Sequence, residues 1–404
     1  MLIDFFIYGG AFLLAFLLKR SASRFLWLIP SSLIAGLISF LGSSEVFKLY
    51  SLSDNYSLYI EILLSLTFAC FPLSITRINR NFFSKVKRLW QYSALQYLTQ
   101  WGLSLALCIF VLKHIFDFLD DSFGVVLPVG FAGGHGSAAV VGDLLFRLGH
   151  DEALTLTMTM ATAGAIFAIT GGIFWIHWGR KKGYLEKTSD KDKKETFDFK
   201  LDVKTTFLLF IIVTCSYFLK PFFINIFKFE IPFFAIATVL SGLVRVIKPN
   251  ISISKTTLER VTNLSTDILV CVGIASIKLK ILEMYIAPLA IMMIVGLCVC
   301  ILYFKKIGMR VFDEDSYSKA VFTWGWSVGG LVFGLALVKM IKREKNMEML
   351  EQFAFTYLML APIEITLLLT MPYLVHNGYA LYMAIPLILL SLLLIKLLAK
   401  ATDK

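Results

Sequence analysis

Charged residues are scarce in this chain of 404 residues. They make up 17% of it, whereas hydrophobic residues make up 58%. A soluble globular protein carries roughly a quarter charged residues, so the composition excludes an ordinary soluble domain. The apolar residues form blocks of about 15–25 residues, the length at which a helix crosses a hydrocarbon core of about 30 Å. The sequence therefore predicts an all-α polytopic membrane protein that contacts lipid.

Two other signals are missing. No basic residue precedes the first apolar block, 2–18, and the block contains Asp4, so it does not have the pattern of a secretory signal peptide. The six cysteines all lie inside apolar blocks, and none has the spacing of a metal site or a disulfide framework. We interpret them as small packing residues.

The net charge is +11, and the basic residues lie mainly in short loops between the apolar blocks. This distribution is typical of a protein oriented in a membrane and does not indicate a nucleic-acid partner. If segments 125–146 and 320–338 dip into the membrane and return, about eleven crossings remain. Most of the 39 Lys and Arg residues then lie inside, with the N-terminus outside and the C-terminus inside. If both segments cross, this bias largely vanishes. The sequence therefore predicts two re-entrant hairpins.

The order of parts repeats on both sides of a polar, Lys-rich linker. Ile29-Pro30 opens a helix in the first half, Ile231-Pro232 does so in the second, and each half later carries one glycine-broken segment. An odd number of crossings per half makes the second copy inverted, which is the pattern of secondary transporters. The predicted divisions are an N-terminal repeat 1–178, a cytoplasmic linker 179–204, a C-terminal repeat 205–376 and an extra span 377–404.

The first broken segment has the sequence GGHGS at its centre. Glycine weakens a helix, and non-helical backbone at membrane depth survives only where protein or a watery cavity covers it. A half-helix starting here would aim free N–H groups at an anion, and the preceding carbonyls would suit Na⁺. The substrate-binding candidates of this segment are Gly133, Gly134, His135, Gly136 and Ser137.

His135 has two readings, either a substrate hydrogen bond (or proton-sensitive group) or a bond to a neighbouring carbonyl that caps the break. A catalytic pair with Asp143 is a weaker alternative, because no nucleophile or second base is evident nearby. We therefore expect no catalytic residues and no enzyme. Asp143 is expected to cap the end of the hairpin or to face the outer vestibule.

The second broken segment offers two hydroxyl groups, two indole rings and flexible backbone. The tryptophans either seal the cavity and stack on substrate or anchor the chain at the lipid interface. The substrate-binding candidates here are Thr323, Trp324, Gly325, Trp326, Ser327, Gly329 and Gly330.

Acidic groups inside apolar blocks are costly at mid-bilayer and point to function. Glu364 and Asp267 are the two of interest, as cation ligands or, for Glu364, as a proton carrier. Thr67 and Thr162 are packing residues first, since a membrane threonine usually bonds the carbonyl four residues back. The candidate Na⁺ ligands are Ala132, Gly133, Ser137, Thr67, Thr162, Asp267 and Glu364.

The order of parts resembles the bacterial sodium:glutamate symporter family, up to about residue 375. Residues 133–138 resemble its GGHGT-type hairpin motif, and residues 160–172 resemble the A-T…G-G pattern that follows. Residues 29–36 are similar to its I-P…A-G-G entry helix, and residues 263–279 to an N-x-S…K-L helix. Glu364 falls where the family tends to place an acidic residue.

The resemblance implies Na⁺-coupled uptake of glutamate or a related dicarboxylate by a homodimer in the bacterial cytoplasmic (inner) membrane. It also implies a scaffold domain and a mobile transport domain, that is, elevator-type alternating access. The second broken segment departs from the family's G-H-C-G-F-G pattern, with Trp326 at the His position. The alternatives are an uncoupled, channel-like or substrate-diverged homologue and, less favoured, a membrane-embedded transferase. Coupling to H⁺ instead of Na⁺ stays open.

Overall fold

The computed structural model describes residues 2–21, 31–50, 56–74, 82–185, 201–227, 233–248, 251–275, 277–312, 315–341 and 346–402. Within these ranges the chain forms helices and no sheet, and one isolated bridge joins Ser43 to Tyr50. The all-α class is thus confirmed. The two Ile-Pro pairs and most of the linker lie outside the described residues.

The helices that precede the linker are α1 (Leu2–Ser21), α2 (Ser31–Gly42), α3 (Tyr56–Ser74), α4 (Phe82–Leu107), α5 (Val126–Gly130), α6 (Gly134–Arg147) and α7 (Ala153–Lys181). Those that follow it are α8 (Val203–Phe227), α9 (Phe233–Ile247), α10 (Lys255–Ala275), α11 (Leu279–Tyr303), α12 (Ser316–Gly329), α13 (Leu331–Ile341), α14 (Asn346–His376) and α15 (Ala380–Thr402). Shorter turns extend three of them: the π-helical Cys108–Leu112 with Lys113–Ile115, the 3₁₀ turn Asp121–Val125, and the π-helical Phe304–Gly308.

Six helices in the described part of the chain are long and apolar enough to cross a membrane. They are Val86–Ile115, Ala153–Lys181, Val203–Phe222, Leu279–Gly308, Met359–His376 and Ala380–Ala399. Large apolar side chains cover their outer faces, such as Phe210 and Phe218 on α8. A helix bonds its own backbone and presents only side chains to lipid, so this pattern fits a multi-pass membrane protein. The figure of eleven crossings stays a prediction, because apolar helices such as Ser31–Gly42 and Ile236–Ile247 are shorter.

Packing divides the chain into two units, and each contains segments from both sides of the linker. Unit 1 comprises Met1–Asn79 and Lys191–Ser276, and unit 2 comprises Arg80–Asp190 and Ile277–Lys404. The boundaries of the predicted repeats differ from those of the units. A repeat is defined by the order of its helices along the chain, whereas a unit is defined by which helices pack against each other. The repeats, the linker and the extra span therefore stay predictions.

The first residues after the linker show a conventional helix start. The Asp202 carboxylate accepts hydrogen bonds from the backbone N–H and the hydroxyl of Thr205, at 2.8 and 2.7 Å. These bonds satisfy an otherwise unpaired donor of the first turn of α8, as an N-cap does. They favour the charged carboxylate and so lower the pKa of Asp202.

Unit 1 depends on close approach between α2 and α10. Both helices are built from small and β-branched residues at the contact, where Ala35 and Cys271 are fully buried. A β-carbon at Gly36 would lie 2.9 Å from the β-carbon of Ile274 and 3.2 Å from the α-carbon of Cys271. Because the second neighbour is backbone, the space cannot open by turning a side chain.

We predict that Gly36→Ala destabilises the protein and that Gly10→Ala on α1 does not. Alanine ordinarily gains about 0.5–1 kcal/mol over glycine inside a helix, and a β-carbon at Gly10 meets nothing within 4 Å. Overpacking at Gly36 should reverse the sign, with a cost of about 1–3 kcal/mol. Thermal unfolding of the purified full chain in detergent measures both variants. Equal effects of the two substitutions would contradict the described packing of α2 on α10.

Unit 2 is organised around α4. The helix packs against α14 and α15, and its Tyr92 and Trp101 side chains are fully buried. A β-carbon at Gly102 would lie 3.0 Å from the backbone nitrogen of Ile388, so α15 contacts α4 closely. On another side of the unit, α7 packs against α6 and α12. These contacts hold the two glycine-broken segments inside one unit.

Candidate functional site

The first broken segment interrupts its helix over three residues. Helix α5 ends at Gly130 and α6 begins at Gly134, whose φ of +66° is in the left-handed region that favours glycine. The Gly133 N–H donates to the Pro128 carbonyl at 3.1 Å. No side chain caps α6, so the N–H groups of its first turn receive no side-chain acceptor.

The second broken segment is a helical hairpin. Helix α12 ends at Gly329, Gly330 has a φ of +90°, and α13 begins at the next residue. A β-carbon at Gly325 would lie 2.7 Å from the α-carbon of Gly334, which shows that the two helices fold back on each other. The reversal therefore occurs at Gly330.

The two breaks contact each other, backbone against backbone. A β-carbon at Gly134 would lie 3.0 Å from the carbonyl oxygen of Gly329, and one at Gly330 would lie 3.3 Å from the α-carbon of Gly134. Gly134 and Gly330 both have a positive φ, and a β-carbon at either position would be in unusually tight contact. The contact joins the N-terminal end of α6 to the C-terminal end of α12.

Backbone carbonyls from both broken segments lie close to neighbouring glycines. A β-carbon at Gly164 of α7 would overlap the carbonyl oxygen of Val328 and would lie 3.4 Å from that of Gly130. The carbonyl oxygen of Gly133 lies 3.6 Å from the β-carbon position of Gly330. Carbonyl oxygens at unwound and C-terminal helix ends are the ligands that transporters use for Na⁺.

A buried carboxylate lies at the first turn of α6. The Ser137 hydroxyl donates to Oε1 of Glu364 at 3.3 Å, and only 7% of Glu364 is exposed. Oε2 of Glu364 is buried and has no hydrogen-bond partner within the described ranges. A buried charge without a partner is costly, so this oxygen is placed to accept a proton or a cation.

His135 is buried and contacts α7. Its Nε2 lies 3.3 Å from the hydroxyl oxygen of Thr162, which itself donates to the Met158 carbonyl at 2.8 Å. Because the Thr162 hydroxyl donates its proton to Met158, Nε2 of His135 is assigned as the donor in their contact. The contact is thus with a hydroxyl group and not with a carbonyl of the break.

Asp143 does not pair with His135. The two lie eight residues apart on α6, about 12 Å along the helix axis, and Asp143 pairs with Arg147 at 2.8 Å. This arrangement disfavours the catalytic reading of the two residues.

Most polar side chains of the second broken segment donate hydrogen bonds to backbone carbonyls of unit 2. Thr323 donates to the Lys319 carbonyl at 3.0 Å, Ser327 to the Trp324 carbonyl at 3.2 Å, and the Trp324 indole to Ala168 at 3.3 Å. Both Trp324 and Trp326 are at most 5% exposed. The alternative of interfacial anchoring is therefore wrong for both rings.

Sequence reasoning missed the contribution of α4. Gln100 of α4 donates to the Ser327 carbonyl at 2.6 Å and so holds the end of α12. A narrow pocket beside it is lined by Ser93, Gln96, Tyr97, Ala132, Thr323, Trp326, Ser327 and Leu360. The signal was present, because Ser93, Gln96 and Gln100 recur at helical spacing on one face of an apolar helix.

Two candidate Na⁺ ligands belong to unit 1. The Thr67 hydroxyl donates to the Leu63 carbonyl four residues back, at 2.9 Å, as a packing threonine does. Asp267 has Ser32 and Lys19 in its surroundings. The other candidates (Ala132, Gly133, Ser137, Thr162 and Glu364) all lie in unit 2.

Comparison with protein-family models and with curated proteins returns no match to this chain. The class that the described residues define is a helical, multi-pass membrane protein with two broken-helix segments in contact. The resemblance to sodium:glutamate symporters stays a prediction.

We predict that Gly134→Ala is more destabilising than Gly149→Ala. Both positions have a positive φ, so both substitutions carry the strain of about 1–2 kcal/mol of a left-handed non-glycine residue. A β-carbon at Gly149 meets nothing within 4 Å, whereas one at Gly134 presses on the Gly329 carbonyl. The difference in unfolding temperature isolates the contact between the breaks, and an equal loss in the two variants would disprove it.

Proposed function

We propose that this protein is a sodium-coupled secondary transporter, a symporter of a small organic anion. Glutamate or a related dicarboxylate is the first candidate substrate. The supporting observation is the contact between the two helix breaks beside the buried carboxylate of Glu364. The proposal includes a homodimer in a bacterial inner membrane, elevator-type alternating access and no enzymatic activity.

The anion-binding half of the proposal rests on α6. Its first-turn N–H groups have no side-chain cap, and the positive end of its dipole lies at the break. A β-carbon at Gly136 would meet nothing within 4 Å, so open space adjoins these donors. A carboxylate of the substrate can approach the backbone there without a buried Arg or Lys.

The cation-binding half rests on oxygen atoms. The carbonyls of Val328, Gly130 and Gly133 and the free oxygen of Glu364 supply the hard ligands that Na⁺ needs. Among the described residues, the hydrogen bond to Glu364 comes from a neutral hydroxyl, that of Ser137. Na⁺ would neutralise the buried carboxylate, and a proton would serve the same purpose.

Electrostatic interaction links the proposed anion site to the proposed cation site. An ionised Glu364 beside the start of α6 repels an incoming carboxylate, and the repulsion is strong where water is excluded. A bound cation removes that repulsion and so raises the affinity for the anion. By reciprocity the anion raises the affinity for the cation, which is the thermodynamic requirement for symport.

The pocket beside α4 must widen to accept such a substrate. Its volume of about 10 Å³ is that of roughly one water molecule, so a dicarboxylate does not fit. Trp326 forms part of the wall and packs on Tyr357, with ring centroids 5.8 Å apart. We propose that displacement of the α12–α13 hairpin, which carries Trp326, opens the pocket.

The same tryptophan favours the second candidate, an uncoupled or substrate-diverged homologue. Its bulk occupies space that a histidine would leave free. Concentrative uptake that collapses without a Na⁺ gradient supports the symporter, and flux that only follows the substrate's own gradient supports the alternative.

We predict that a dicarboxylate raises the unfolding temperature of the purified protein in Na⁺ but not in K⁺. A ligand at 100 times its dissociation constant adds about 2.7 kcal/mol of stability. A thermal-shift screen of amino acids and dicarboxylates, each with NaCl and with KCl, measures this directly. Stabilisation that is equal in the two salts would count against sodium coupling, and a dependence on pH alone would favour protons.

Gly136→Ala should leave the fold intact and abolish ligand stabilisation. The structure has room for the added methyl group, which would stand between the α6 N–H groups and the substrate. Gly10→Ala, which also adds a methyl group in open space, is the matched control in unit 1. If Gly136→Ala keeps the full ligand-induced shift, the start of α6 is not the anion site.

A further inference from the structure

A second group of ligating side chains lies in unit 2, apart from the helix breaks. Asp120 precedes the 3₁₀ turn Asp121–Val125, His150 lies in the turn between α6 and α7, and Glu152 is the N-cap residue of α7. One ligand atom from each of these three lies within 4.8 Å of the other two. Three segments of the chain thus bring one imidazole and two carboxylates together.

We propose that Asp120, His150 and Glu152 form a binding site for a divalent transition-metal cation of the Zn²⁺ class. Imidazole nitrogen and carboxylate oxygen are ordinary zinc ligands, bound at about 2.0–2.2 Å, which places tetrahedral ligands about 3.3 Å apart. His150 Nδ1 and Asp120 Oδ2 are 2.9 Å apart, so a metal would need them to separate by a few tenths of an ångström. The Glu152 side chain does not cap α7, and its carboxylate accepts a hydrogen bond from the Tyr285 hydroxyl, which leaves further lone pairs for a metal.

The other ring nitrogen of His150 already has a partner suited to metal binding. Nε2 of His150 lies 3.1 Å from Nδ1 of His376, the last residue of α14. When a metal occupies Nδ1 of His150, the remaining proton is on Nε2 and donates to His376. Such a contact fixes the tautomer and the orientation of a ligating histidine, so His376 is a positioning residue here.

The charge and accessibility of the group suit a cation from solution. Half of the Asp120 side chain is exposed, whereas 14% of His150 is. The neighbouring Lys113 is paired with Asp121 at 2.6 Å, so its charge is already compensated. Tyr285, whose hydroxyl contacts Glu152, has its ring packed against Phe118 and Phe123.

A metal at this position would join segments that carry the helix breaks. Asp120 leads into α5, His150 follows α6, and His376 ends the helix that contains Glu364. Binding would therefore hold the ends of α6 and α14 together and raise the unfolding temperature. Metal binding by these residues would not depend on transport activity.

The test uses the full-length protein, purified with a chelator and then desalted. Zn²⁺ should raise the unfolding temperature of the protein, and about one Zn²⁺ per protein chain should remain bound after gel filtration. Mg²⁺ should do neither. His150→Ala and Glu152→Gln should weaken Zn²⁺ binding by at least about tenfold, and His376→Ala by about 10–100-fold. His177→Ala, an exposed histidine near the other end of α7, is the matched control and should bind as the parent does.

The proposal is overturned if the protein retains no Zn²⁺, or if His150→Ala and His177→Ala bind Zn²⁺ equally. An equal response to Mg²⁺ would also contradict the assigned metal class. If His150→Ala does not fold, Glu152→Gln decides the question, because it changes one oxygen to an amide and keeps the shape of the side chain.

Discussion

The arrangement of unit 2 depends on the backbone contact between Gly134 and the turn at Gly329 and Gly330. Two of these positions have a positive φ, and a β-carbon at any of the three would lie only 2.7–3.3 Å from a neighbouring atom. The contact thus requires glycine for conformational and for steric reasons. Its consequence is that the N-terminal end of one helix and the C-terminal end of another meet inside the protein. Backbone N–H groups at the start of one helix and carbonyls at the end of another thereby lie close together, which is an arrangement suited to an anion and a cation together.

The carboxylate of Glu364 gives this arrangement its electrostatic character. A neutral serine is its described hydrogen-bond donor, and its second oxygen is buried without a partner among the described residues. A lone buried carboxylate is costly unless it is neutralised. The same group therefore favours a cation and opposes an anion, and both effects have one origin. The proposed coupling needs no long-range signal, because the two ligands would share one set of charges.

The sequence predicted the two broken segments because glycine clusters inside apolar blocks have few structural uses. The sequence placed the breaks at residues 133–137 and 323–330, whereas in the structure α6 already begins at Gly134 and α12 continues to Gly329. The partner of Gln100 was not predictable, since a polar face on an apolar helix marks a contact surface but does not indicate which carbonyl it contacts. Thr67 and Asp267 belong to unit 1. No sequence pattern indicated this assignment, because it depends on tertiary packing. The burial of Trp324 and Trp326 was likewise undecided by sequence, since tryptophan is common both at lipid interfaces and in cores.

A double-mutant cycle on the two breaks tests the central contact most directly. Unfolding free energies are measured for Gly134→Ala, Gly330→Ala and the double variant, with Gly149→Ala combined with Gly330→Ala as the reference pair. Contacting residues give interaction energies of about 0.5–3 kcal/mol, and separated ones add to within about 0.3–0.5 kcal/mol. The account predicts coupling for Gly134 with Gly330 and additivity for the reference pair. Additivity in both cycles would contradict it, because the two breaks would then not touch.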